Sequence, residues 1–140
     1  MASPISAQVI LCDAAQADSS GKLHMLGAGW SITGTPTAPQ AVAVLVWVPW
    51  DRANQKLPLT LQLLDADGKP VDLDNGPIRA DAELEVGRPP GIAQGSPLNA
   101  SFALNLGPMP LPPGRYEWRL EVADTTQRAS FQVMEHPPGR

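Results

Sequence analysis

The sequence predicts an all-β protein, a two-sheet antiparallel β-sandwich of immunoglobulin-like type with about eight to nine strands, a small barrel being the alternative, and three observations carry that prediction. Between Gly114 and Val122, Tyr116, Trp118, Leu120 and Val122 fall on one face while Arg115, Glu117, Arg119 and Glu121 fall on the other, because successive strand side chains point to opposite sides. The chain holds 16 prolines and 12 glycines in 140 residues, and a proline inside a helix costs about 3 kcal/mol, so helices of any length have little room. Yet 43% of the residues are hydrophobic, too many for a disordered chain, which leaves short strands separated by Pro/Gly turns.

Taken in order, Ser6 to Asp13 reads as a first strand, with Ala7, Val9 and Leu11 on one face and Ile10 and Cys12 on the other. Asp18-Ser19-Ser20-Gly21 is turn chemistry, since Asp and Ser bond their own backbone and Gly takes positive φ. The chain then returns as Lys22 to Thr33, interrupted by Gly27 and Gly29, which predict a bulge or a close backbone approach. Ala41 to Val48 is apolar on both faces and reads as the most buried, central strand; Pro49 ends it, and Trp50 to Asn54 is a loop or one helical turn. Leu57, Leu59, Leu61 and Leu63 alternate with Pro58, Thr60 and Gln62 in a half-buried strand. Asp67-Gly68 turns the chain, and Val71 to Leu73 is a short return. Ile78 to Val86 alternates with charges at Arg79, Asp81, Glu83 and Glu85, and Leu98 to Leu106 alternates with Asn99, Ser101, Ala103 and Asn105. After Gly114 to Val122, residues Asp124 to Gln127 turn into a last strand with Ala129, Phe131 and Val133 inward. The Pro112-Pro113-Gly114-Arg115-Tyr116 approach suggests a tyrosine corner, its hydroxyl bonding a nearby backbone. Residues 1–134 form a single domain on size grounds, and residues 135–140 read as a flexible tail.

Composition bounds the function. A formal net charge of -4 and scattered Lys and Arg argue against a nucleic-acid partner, because a phosphate backbone demands a clustered basic face. No basic residue precedes Lys22 and the apolar Val9-Ile10-Leu11 run is short, which argues against a secretory leader. The longest apolar run, Ala41 to Trp50, is about half a membrane-spanning helix. Cys12 is the one cysteine, which fits a reducing compartment. A cytoplasmic protein with no membrane contact follows as the expectation.

Two segments resemble a known family. Cys12-Asp13, Gly21-Lys22-Leu23 and Leu26-Gly27-Ala28-Gly29-Trp30, together with Leu111-Pro112-Pro113-Gly114-Arg115-Tyr116-Glu117-Trp118-Arg119-Leu120, are similar to small uncharacterised bacterial all-β proteins that form a domain of unknown function. With Val86-Gly87-Arg88-Pro89-Pro90-Gly91 between them, the resemblance runs over most of the chain. It implies an all-β fold and assigns no site, because its motifs are turn glycines, prolines and inward aromatics.

Candidate sites are few. Cys12, His24 and Asp13 are the set that could act as nucleophile, base and orienter, although cysteine is among the most buried residue types, and catalysis is not expected. Asp65, Asp67, Asp72 and Asp74 bracket a turn and could offer oxygens to calcium, but Lys69 stands where a further ligand would belong, so solubilising carboxylates around an Asp-Gly turn are the simpler reading. Cys12, His24 and His136 do not make a zinc site, and no cofactor or metal is expected. Pro110-Leu111-Pro112-Pro113-Gly114-Arg115 matches a polyproline ligand pattern, yet it leads straight into a core strand. The aromatics are more informative. Trp30, Trp47 and Trp50 are candidate contacts for a protein interface or, alternatively, for a sugar ring. The reading is therefore a non-catalytic interaction or assembly module that self-associates, its motivation the apolar faces around Val42 to Val48. A small-ligand or carbohydrate-binding module is the alternative, and a cysteine-dependent enzyme comes third.

Overall fold

The computed structural model describes residues 4–74 and 76–138. Twelve strands lie among them: β1 (Ser6–Cys12), β2 (Ala14–Ala17), β3 (Leu23–Leu26), β4 (Ile32–Thr33), β5 (Gln40–Val48), β6 (Leu57–Asp65), β7 (Asp72–Leu73), β8 (Gly76–Pro77), β9 (Arg79–Leu84), β10 (Leu98–Leu106), β11 (Gly114–Val122) and β12 (Thr125–Val133). The chain is thus all-β, and its one helical element among the described residues is the 3-10 turn Trp50–Arg52 after Pro49. The count exceeds the expected eight to nine because four short strands, β2, β3, β7 and β8, pair off as separate two-stranded hairpins.

Two larger sheets carry the core. One has the order β1-β5-β10 and the other β4-β12-β11-β6-β9. Val42, Val44, Val46 and Val48 of β5 join Leu59, Leu61 and Leu63 of β6 and Trp118, Leu120 and Val122 of β11 in a single apolar cluster. These side chains are at most 1% exposed, so the two sheets share one interior. Alternation explains the choice of faces in the larger sheet: β6, β9, β11 and β12 turn their apolar sets toward the other sheet and most of their polar residues outward. On the outer face of the larger sheet the charges are paired along and across strands, Arg119 with Glu121 (3.3 Å), Arg128 with Glu117 (3.2 Å) and Arg79 with Asp81 (3.0 Å).

The beginning of the chain departs from the simple hairpin that its sequence suggests. β1 pairs along its length with β5, from Ser6 opposite Trp47 to Cys12 opposite Ala41. The returning segment splits at its glycines. β3 pairs with β2, and beyond the turn β4 crosses to the other sheet, where it lies parallel to β12. The sheets are therefore antiparallel apart from this one pair. Gly27 (φ 62°) and Gly29 (φ 94°) make the crossing possible, since L side chains rarely adopt such angles. A Cβ on Gly27 would also fall inside the Asp13 carboxylate. Gly29 N–H closes the turn on Leu11 O at 2.7 Å.

The β2–β3 hairpin then lies over the outer face of β5 and β10. Asn105 holds it at one end, its amide donating to Ala15 O (2.8 Å) and accepting from Ala15 N–H (3.1 Å). Asn99 holds the other end through Gly21 O (2.9 Å). Beneath it, Cys12, Ala15, Ala41 and Ala43 form a second buried cluster, with Ile10, Leu23 and Ala103 packed against it. This covering explains why β5 is apolar on both faces, and it corrects the sequence-based motive for self-association: much of the outer face of β5 meets its own hairpin rather than another subunit.

The strand Gly114 to Val122 has the bounds its alternation predicts. Tyr116 OH donates to Pro112 O at 2.7 Å, the corner expected from the Pro-Pro-Gly approach. The polyproline pattern is built into the fold there, with Leu111 fully buried. Beyond β12 the chain stays beside β4, Met134 N–H donating to Thr33 O at 2.9 Å. Gly139 and Arg140, the end of the expected tail, lie outside the described residues, as do Met1 to Ser3.

Candidate functional site

The three tryptophans singled out by sequence fall in two places. Trp47 and Trp50 line one groove of about 380 Å³ together with Pro4, Ser6, Val48, Pro49, Asp51, Gly95 and Pro97. Trp47 is 40% exposed, on the outer face of β5 with Ser6 and Asn99 as its cross-strand neighbours. Neither neighbour is large enough to cover an indole. Trp50 follows Pro49 in the 3-10 turn and is half-buried rather than open, because Arg88 lies over its ring at 4.3 Å and donates to Trp50 O at 2.6 Å. Cation and ring attract through the ring quadrupole, so Arg88 helps to fix the indole beside the groove. The turn is anchored by Asn54 N–H to Val86 O (2.8 Å) and by Arg52 to Asp124 (3.2 Å). Sequence reasoning missed Arg88, which is distant along the chain and carries no local signal of its partner.

Trp30 sits elsewhere and faces inward. Its indole N–H donates to Cys12 O at 2.9 Å, and its ring stands edge-on to Phe131 with centroids 5.3 Å apart. It ties the end of β1 to β12 across the two sheets and packs against the main core.

The remaining candidates are not brought together. Cys12 is fully buried and its thiol is pushed up by burial, then by the Asp13 charge. The thiolate is thereby disfavoured. His24 points to the hairpin tip instead, its Nε2 2.7 Å from Asp18. The Asp18 carboxyl is held well below the usual carboxylate range by bonds from the Ser20 hydroxyl, His24 and Lys22 N–H. Asp65 accepts from the backbone N–H groups of Asp67 (2.9 Å) and Lys69 (3.0 Å), so its oxygen closes the turn. Among the described residues no group of three or more His, Cys, Asp or Glu side chains is placed to hold a metal ion.

A second concavity, of about 470 Å³, lies on the β2–β3 hairpin and is lined by Ala14, Ala15, Gln16, His24, Met25 and Leu26. Leu26 is 71% exposed and Met25 39%. The alternation of so short a strand gave no sign of this apolar surface. No helix among the described residues is long and apolar enough to cross a membrane.

No curated protein matches the chain. Residues 8–134 match a family of unknown function, DUF6941, so both the first hairpin and the Pro-Pro-Gly-Arg-Tyr strand lie within the matched region, and the chain belongs to that family.

Proposed function

We propose that the chain is a non-catalytic interaction module that self-associates. The observation that carries this reading is Trp47, an indole 40% exposed on the middle strand of its sheet, where the covering hairpin ends. Tryptophan is enriched in the energetic centres of protein interfaces, and a ring flanked by Ser6 and Asn99 is available to a partner without rearrangement. Leu26 and Met25 add a second exposed apolar spot. The two-sheet core with the Tyr116 corner is read as an immunoglobulin-like sandwich, and the lone buried Cys12 is in keeping with a reducing, cytoplasmic setting. Sedimentation across a concentration series tests self-association: a dimer or larger species is expected, and a strict monomer at every concentration sinks it.

A small-ligand or sugar-binding role is the second reading, favoured by the sharing of one groove by Trp47 and Trp50. Ring stacking would alter indole emission, so a titration with a glycan panel that leaves the fluorescence of the wild type and of Trp47→Phe alike removes it.

A further inference from the structure

The edges of the two sheets differ in how they are finished. β1 ends one edge of its sheet, and both its ends are tied down: Leu11 O accepts from Gly29 N–H (2.7 Å), Cys12 O from Trp30 Nε1–H (2.9 Å) and, just before the strand, Ile5 O from the Thr125 hydroxyl (3.0 Å). β4 is two residues long. β9 carries Arg79, Asp81 and Glu83, the alternating charges that keep an edge from pairing with another chain. β10 has none of these devices. It is a nine-residue edge strand, Leu98–Leu106, without a charge, proline or glycine, and among the described residues only β5 pairs with it. Its side chains Asn99 and Asn105 bond to the hairpin, and among the described residues no strand pairs with the edge away from β5.

The sequence of this strand reads nearly the same in both directions. Centred on Phe102, an antiparallel pairing with an identical strand sets Leu98 opposite Leu106, Asn99 opposite Asn105, Ala100 opposite Leu104 and Ser101 opposite Ala103, with Phe102 opposite itself. Leucine meets leucine, amide meets amide, the small Ala100 meets the larger Leu104, and no like charges are opposed. A two-fold dimer requires such self-complementarity, because the same patch serves both subunits. The half-burial of Phe102, Leu104 and Leu106, which pack on the core yet stay partly exposed, leaves apolar area for a second copy to cover.

We propose that β10 is the self-association surface: two copies join their β1-β5-β10 sheets into one six-stranded sheet through antiparallel β10 pairing about Phe102. This rests on the reading of the chain as a self-associating module and names the surface and the register.

Cross-linking tests the register. Residues directly opposite in an antiparallel pair have Cα atoms about 4.5–5.5 Å apart, within disulfide reach. With Cys12 buried and inert, Phe102→Cys is expected to give a covalent dimer under diamide. Ala100→Cys and Leu104→Cys are each expected to form no covalent link alone and to link when mixed. Hydrogen exchange on the wild type gives an answer that no variant can spoil by misfolding. The alternate amides of Leu98–Leu106 that point away from β5 should exchange about tenfold more slowly where nine-tenths of the protein is dimeric than where it is dilute, while those already bonded to β5 change little. If the protein sediments as a dimer while β10 amides exchange equally fast at all concentrations, or a folded Phe102→Cys stays unlinked, the surface is wrong and self-association stands on another face. If it sediments only as a monomer, both ideas fall.

Discussion

Replacing Trp30 distinguishes a structural anchor from a ligand contact. The indole donates to Cys12 O at 2.9 Å and stands edge-on to Phe131 at 5.3 Å, so two interactions tie the first strand to the opposite sheet. Trp30→Phe keeps a ring against Phe131 but removes the donor and part of the contact area. The hydrogen bond contributes about 1 kcal/mol, and with the lost area the variant should be destabilised by about 1.5 kcal/mol. Trp30→Ala also removes the aromatic pair, about 1 kcal/mol, and most of the apolar burial. Because the ring is half-buried, its total belongs at the low end of the range for buried aromatics, about 3 kcal/mol. Urea unfolding followed by far-UV circular dichroism at neutral pH measures both. A loss below about 1 kcal/mol for Trp30→Ala would refute the anchor, and equal losses for the two variants would show that the ring against Phe131 contributes nothing.

Other outcomes follow from the same contacts. Tyr116→Phe removes the bond to Pro112 O and should destabilise by about 1 kcal/mol with an unchanged circular dichroism spectrum, read by the same urea assay. Asn105→Ala releases one end of the β2–β3 hairpin, so amides of Ala14–Ala17 and Leu23–Leu26 should lose protection from exchange while those of β11 keep theirs. The Asp18, Asp81 and Asp124 carboxyls are held below their ordinary range, by the Ser20 hydroxyl and His24, by Arg79 and Thr60, and by Arg52 respectively. The folded state therefore binds fewer protons than the unfolded one, so their contribution is fully present above the unfolded pKa of about 3.9 and is lost as pH falls through the lower folded values. Melting temperature should fall in that acid window, and 1 M salt should weaken the dependence because Asp81 and Asp124 are exposed to solvent and Asp18 is partly so. Cys12 should react with a maleimide more slowly than free cysteine in the native protein and at the free rate in urea; native reaction at the free rate would mean that β1 and its hairpin open readily.

What the sequence by itself determined is the set of elements whose evidence is local. The alternation of Tyr116, Trp118, Leu120 and Val122 with four charges marks β11 to the residue, since a strand with one wet and one dry face must alternate. Leu98 to Leu106 is legible for the same reason, and the Tyr116 corner follows from the prolines and glycine that lead into it. What only the tertiary structure decided is which surfaces meet. Ala41, Ala43 and Cys12 are apolar whether a second subunit or the chain's own hairpin covers them, and periodicity carries no trace of the difference. Trp30 turned inward to Cys12 O and Phe131, while Trp47 stayed exposed and Trp50 came under Arg88, because distant segments happened to supply a carbonyl, a ring or a guanidinium. Burial pattern is set residue by residue along the chain, whereas partnership depends on packing between segments far apart in sequence, and that is fixed only when the two sheets close on each other.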